Sequence, residues 1–141
     1  MRKIVQLIGA VLAGLVVSGF ITRGFENMLA HFYPLPELMP SALEMANYVA
    51  EAPAELQVLQ VFGFGLSAWF GGYVAGRFSP ASKQELSAFV VAFCYLLGLI
   101  VFLISMPRPI WAALLCVGAV VLAPFLVVFI FRKMNQSVHK M

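Results

Sequence analysis

Four stretches of this chain carry no Asp, Glu, Lys, Arg or His: residues 4–22, 56–76, 86–106 and 110–131. Each is close to the roughly 20 residues that an α-helix needs to cross about 30 Å of hydrocarbon. Barrel strands would alternate apolar and polar positions over about ten residues, and these runs do not. In lipid a helix satisfies its own backbone hydrogen bonds, whereas an open strand leaves them unpaired. The pattern predicts an all-α integral membrane four-helix bundle formed by a single membrane domain, residues 1–141.

Composition supports that reading. Hydrophobic residues make up 62% of the chain and charged residues 11%, against roughly 45–50% and 25% in globular proteins. A soluble domain this small has too little interior to hide so much apolar surface. The net charge of +3 sits at the ends of the apolar runs. It therefore reads as a topology signal, and no nucleic-acid partner is expected. One set of connections holds Arg2, Lys3, Arg77, Lys83, Arg132, Lys133 and Lys140 against Glu85 alone. The other holds Arg23 and Arg108 with Glu26, Glu37, Glu44, Glu51 and Glu55. Basic residues gather in the cytoplasm, so both termini are expected inside and the 23–55 segment outside.

The first run has the form of a signal peptide: Met1-Arg2-Lys3, an apolar stretch, then small residues at Val17-Ser18-Gly19. The run continues through Phe20 and Ile21 and carries a packing stripe, which favours a retained anchor. Within 23–55, Tyr33-Pro34-Leu35-Pro36 and Pro40 forbid a continuous helix. Ser41 and Glu44 have capping-box spacing, so a short extracytoplasmic helix is expected from about Ala42 to before Pro53. Ser82 and Glu85 have the same spacing ahead of the third run. Pro107-Arg108-Pro109 leaves room only for a tight hairpin, with Trp111 as an interfacial anchor.

Helices in lipid associate through close contact at small residues. The second run repeats Gly63, Ser67, Gly71 and Ala75 every fourth position, beside a ridge of Ala68, Gly72 and Gly76. The first run offers Ala10, Gly14 and Ser18. These faces predict a close crossing of the first two runs, with contact between copies of the chain as the competing use. Pro124 removes a backbone donor within the fourth run and is a candidate bend or hinge.

Chemistry is sparse. Buried ionisable groups mark proton and ion pathways, and the four runs contain none. Gln60, Ser67 and Tyr73 in the second run, with Tyr95 and Ser105 in the third, are polar side chains available inside, and bonding to backbone or to neighbouring helices is their common use. His31 with Glu26 and Glu37 has irregular, proline-broken spacing, so no metal site is expected. Cys94 and Cys116 fall at different depths, too far apart for a disulfide. No phosphate loop, dinucleotide fingerprint, HExxH or nucleophile elbow is present, so no cofactor or catalytic residue is expected.

The Gly71-Gly72-Tyr73-Val74-Ala75-Gly76-Arg77 helix end, the proline-rich acidic segment and Pro107-Arg108-Pro109-Ile110-Trp111 resemble features of small bacterial membrane proteins without established activity. The resemblance implies a four-span protein of the bacterial inner membrane and carries no substrate. The expected role is non-enzymatic: an accessory subunit or a homo-oligomer, acting by association with the bilayer and a membrane-protein partner. The alternative is a small-molecule transporter or channel formed as an oligomer. Cysteines placed at Ala68, Gly98 or Ala119 are expected to resist a membrane-impermeant maleimide in intact membranes; free labelling of all three would overturn the lipid-embedded reading.

Overall fold

The computed structural model describes residues 1–34, 41–106 and 108–138. It contains α1 (Arg2–Phe32), α2 (Ala42–Ala50), α3 (Ala54–Phe78), a 3₁₀ turn (Ala81–Lys83), α4 (Gln84–Ser105) and α5 (Ile110–Val138), with no strand among the described residues. Four helices are long and apolar enough to cross a membrane: α1, α3, α4 with its preceding turn, and α5. The architecture is that of a multi-pass membrane protein. Large apolar side chains point outward along every long helix, such as Val16 and Phe20 on α1, Val101 and Ile104 on α4, and Leu122 and Phe129 on α5. A protein solvated by water would bury such side chains.

Helix α1 has 31 residues, about 46 Å at 1.5 Å per residue. It continues well beyond the uncharged stretch 4–22 and stops only next to Pro34, because nothing in Arg23–Phe32 breaks a helix. Ser41 caps α2: its hydroxyl accepts the Glu44 backbone N–H at 3.3 Å, and the Glu44 carboxylate accepts the Ser41 N–H at 2.7 Å. These bonds from Ser41 hold the Glu44 carboxyl below the usual carboxylate range. Gln57 locks α2 onto α3 by donating Nε2 to the Val49 carbonyl at 2.7 Å.

Ser82 and Glu85 do not form the expected capping box. The 3₁₀ turn comes first, α4 begins at Gln84 after Lys83 with no side-chain cap, and Glu85 faces elsewhere. Both its oxygens accept from Arg132, at 2.9 Å each. This pair ties the start of α4 to the end of α5. At the same end, Gln6 Nε2 donates to the Phe78 carbonyl at 3.1 Å. The start of α1, the α3–α4 connection and the end of α5 therefore share one end of the bundle. α2 and Arg108 share the other.

Helix α3 is the hub, packed on α1, α4 and α5. Its two small-residue ridges serve different neighbours. Gly63, Ser67, Gly71 and Ala75 face α1: a Cβ on Gly63 would meet the Phe25 ring at 2.9 Å, and one on Gly14 would meet the Gly71 carbonyl at 2.5 Å and Ala75 Cβ at 2.9 Å. A Cβ on Gly71 would strike Ser18 and the Gly14 carbonyl. Gly72 and Gly76 face a different side, where Gly72 lies against Ala88 and Val127, and Gly76 against the Phe131 ring. Ala10, the remaining member of the α1 stripe, is buried. Ala68 lies in a core with Leu99, Cys116 and Val120. Trp69, Tyr73 and Phe131 stack in sequence, with centroid spacings of 6.0 and 5.5 Å. Pro124 lies inside α5, which is one helix on both sides of it.

The Gly14–Gly71 approach has no room for a methyl group, whereas Gly9 faces open space. Gly14→Ala is expected to destabilise the bundle by about 1–3 kcal/mol, with Gly9→Ala near neutral, measured by denaturant titration in mixed micelles. Equal effects of the two substitutions would contradict this packing.

Candidate functional site

One helical turn beyond the close α1–α3 approach, polar side chains take over from glycine. Ser18 Oγ donates to the Ser67 carbonyl at 2.9 Å, and both residues are fully buried. Ser67 Oγ donates to the Gly63 carbonyl at 2.7 Å. Thr22 Oγ1 lies 2.9 Å from the Ser18 carbonyl, 3.0 Å from Ser67 Oγ and 2.5 Å from Tyr95 Oη. Proton counting orients the set. Thr22 has one proton, directed at Ser18 and Ser67, so Tyr95 donates to Thr22. The phenol proton is thereby used, while the Tyr95 oxygen keeps accepting capacity. This network joins α1, α3 and α4.

Arg108 occupies the same end of the bundle. The sequence places it in a tight hairpin. The side chain turns inward, donating Nη1 to Gln60 Oε1. The guanidinium carbon lies 5.2 Å from the Phe102 ring centroid and 5.9 Å from that of Phe64. Two ring faces supply part of the stabilisation that water would otherwise give. Nε is buried with no partner among the described residues. Burial draws the guanidinium below its ordinary range, opposed by the Glu26 carboxylate. The sequence signal for this placement was a glutamine, Gln60, sharing a helix face with Phe64.

Three adjoining cavities meet at Glu26. One, of about 280 Å³, lies between α1 and α4 and is bordered by Leu15, Thr22, Tyr95, Gly98 and Phe102. A neck of about 10 Å³ passes Thr22, Gln60 and Gly63. The third, of about 160 Å³, lies under α2 beside Tyr33, Tyr48 and Leu56. Tyr33 and Tyr48 pack with ring centroids 4.8 Å apart, and Tyr48 donates to the Pro34 carbonyl at 2.5 Å. Glu26 itself pairs with Arg23 at 3.1 Å.

The packing residues Gly14, Ser18, Gly63, Ser67, Gly71 and Ala75 thus converge on one seam, with Ala10 farther along α1; Gly72, Gly76 and Pro124 do not belong to it. His31 stacks edge-on against Phe32, and no three His, Cys, Asp or Glu side chains converge among the described residues. Glu37, His139 and Lys140 lie outside the described residues. Cys94 is exposed and Cys116 buried, both as free thiols. No family model, curated protein or solved structure matches the chain.

Thr22 is the point where three helices share one hydroxyl. Interhelical hydrogen bonds in membranes average about 0.6 kcal/mol and reach about 1.7. Thr22→Val is expected to cost roughly 1–2 kcal/mol, and Tyr95→Phe about half as much. In a double-mutant cycle the two costs should fail to add, since they remove one shared bond. Full additivity would show that Tyr95 and Thr22 act separately.

Proposed function

We propose that this protein works by association within the membrane, as an accessory subunit or as a homo-oligomer, and performs no chemistry of its own. The supporting observation is a groove of about 450 Å³ on the lipid-facing side between α3 and α5. Its floor includes Gly65 and Ala119, where a Cβ on Gly65 would meet Ala119 Cβ at 3.2 Å. Phe62, Leu66, Leu122 and Leu126 also line it. Small residues let another helix approach closely, which is what drives association in lipid. This surface differs from the Gly14–Gly71 seam, which is already occupied within the chain.

The charge distribution supports a cytoplasmic location for Arg2, Lys3, Arg77, Lys83, Arg132 and Lys133, with α2 and Arg108 at the opposite surface. The membrane we assign is the bacterial inner membrane, in keeping with the resemblance noted above. A second reading, passage of a small molecule through an oligomer, draws on the cavities that meet at Glu26. The seam closes one helical turn beyond Ser18, where Gly14 meets Gly71 and Ala75. That favours a site with one open side over a through path.

In a Cys94→Ala background, a cysteine replacing Leu122 is expected to crosslink to a second copy or to one co-purifying membrane protein. A cysteine replacing Val101, equally exposed but outside the groove, should not. A strictly monomeric species by native mass spectrometry, with no adduct at either position, would sink the association reading.

A further inference from the structure

The cavity between α1 and α4 has three properties that together specify a ligand. First, it is open sideways. Gly98 and Cys94 border it while remaining exposed, and a Cβ on Gly98 would meet nothing within 4 Å. Second, its length fits one leaflet. Leu15 and Glu26, which both border it, are eleven residues apart on α1, about 16 Å of helix. Half of a hydrocarbon layer of roughly 30 Å is about the same. Third, its walls are apolar at Leu15, Phe64, Leu99 and Phe102, and the oxygens that border it come from Thr22, Tyr95 and Glu26. A volume of about 280 Å³ is at the low end for ligand pockets, and suits one chain rather than two.

Charge selects the head group. Glu26 shares one oxygen with Arg23 and has the other to offer, and the Tyr95 oxygen can still accept. Arg108, behind the Phe64 and Phe102 rings, has no carboxylate within 4 Å among the described residues. A cationic head would meet the field of Arg23 and Arg108. An anionic head would sit against the Glu26 carboxylate. A neutral hydroxyl avoids both costs and donates to an acceptor already in place.

We propose that this crevice binds an uncharged, hydroxyl-headed amphiphile with a single hydrocarbon chain, which enters sideways from lipid and donates its hydroxyl to Glu26. The site is independent of the α3–α5 groove, so failure of one assignment leaves the other standing.

The test uses a monoacylglycerol with a photoreactive diazirine in its chain, added to the full-length protein in phosphatidylcholine vesicles. Lysophosphatidic acid and an alkyl-trimethylammonium with the same chain and photoreactive group serve as anionic and cationic comparators. The neutral probe is expected to label α1 and α4 peptides, with both charged probes roughly tenfold weaker. Gly98→Leu and Cys94→Phe each fill the crevice and should abolish labelling, whereas Gly9→Leu, in open space on α1, should not change it. Glu26→Leu should lower labelling roughly tenfold, the effect of losing a hydrogen bond to a charged group. Glu26→Gln keeps an acceptor and should stay within about threefold. Thermal unfolding by circular dichroism confirms that each variant is folded, and having two blocking variants prevents a folding defect in one from deciding the result. Undiminished labelling of both blocked variants would overturn the site. A charged probe labelling as strongly as the neutral one, loss of labelling in Glu26→Gln, or retention in Glu26→Leu would overturn the assigned head chemistry.

Discussion

Helices surrounded by lipid gain almost nothing by hiding apolar side chains from one another, because lipid tails are as apolar as leucine. What holds them is the contact they can make at short range. In this protein that contact is the approach of α1 to α3 at Gly14 and Gly71, where each carbonyl oxygen lies 2.5–2.6 Å from the point the other residue's Cβ would occupy. Dispersion falls off steeply with separation, so a gap of even half an ångström forfeits a quarter or more of each contact. The neighbouring bonds inherit their geometry from this approach. Ser18 reaches the Ser67 carbonyl only because the backbones are already close, and Thr22, one turn on, then reaches Tyr95 on a third helix. Glycine in the first turn of the seam and hydroxyls in the next form a single device: close packing first, then directional bonds that set the register.

The α1–α3 seam was largely legible in the sequence, since Gly63, Ser67, Gly71 and Ala75 recur at the spacing of one helix face. The destination of the neighbouring ridge was not. Gly72 and Gly76 are one residue away from Gly71 and Ala75, about 100° around the helix. That rotation takes them to Val127 and Phe131 on α5. Small residues report that something approaches closely but not which helix does so. The long α1 was hidden for a different reason: charge marks where a chain leaves hydrocarbon, not where a helix stops, and Arg23–Phe32 contains no breaker. At Ser82 and Glu85 a local motif lost to a tertiary partner. A bidentate Arg132 pair satisfies both carboxylate oxygens, and a backbone cap would have used only one.

Arg108 was the least legible element of the candidate site. Flanked by two prolines in a three-residue connection, it had the signature of an exposed turn. Its placement rests on features distant in sequence: Gln60 and Phe64 on α3 and Phe102 on α4. None of these alone signals a guanidinium site. Together they supply an amide acceptor and two aromatic faces at the end of the bundle, where desolvation is partial and costs less than at the bilayer centre. The interaction also fastens the α4–α5 connection onto α3, as Gln57 fastens α2.

These anchors explain why open space remains at this end. At the end shared by the start of α1 and the end of α5, Glu85–Arg132, Gln6–Phe78 and the Trp69–Tyr73–Phe131 stack draw the helices together. At the α2 end, α3 carries the two glutamine anchors, beside the contacts of Tyr48 with Tyr33 and the Pro34 carbonyl. Gln57 and Gln60 use α3 to hold α2 and Arg108, while the Thr22–Tyr95 hydroxyl pair bridges α1 to α4 and Val91 packs on Gly14 farther along. Two helices in contact at Gly14–Val91, bonded at Thr22–Tyr95 and pressed onto a third leave a wedge beyond those contacts, and that wedge is the α1–α4 crevice. The polar bond that closes its inner wall is also the one that places hydroxyl oxygen beside Glu26. The register set by glycine packing thereby determines both where the crevice opens and what lies at its polar end.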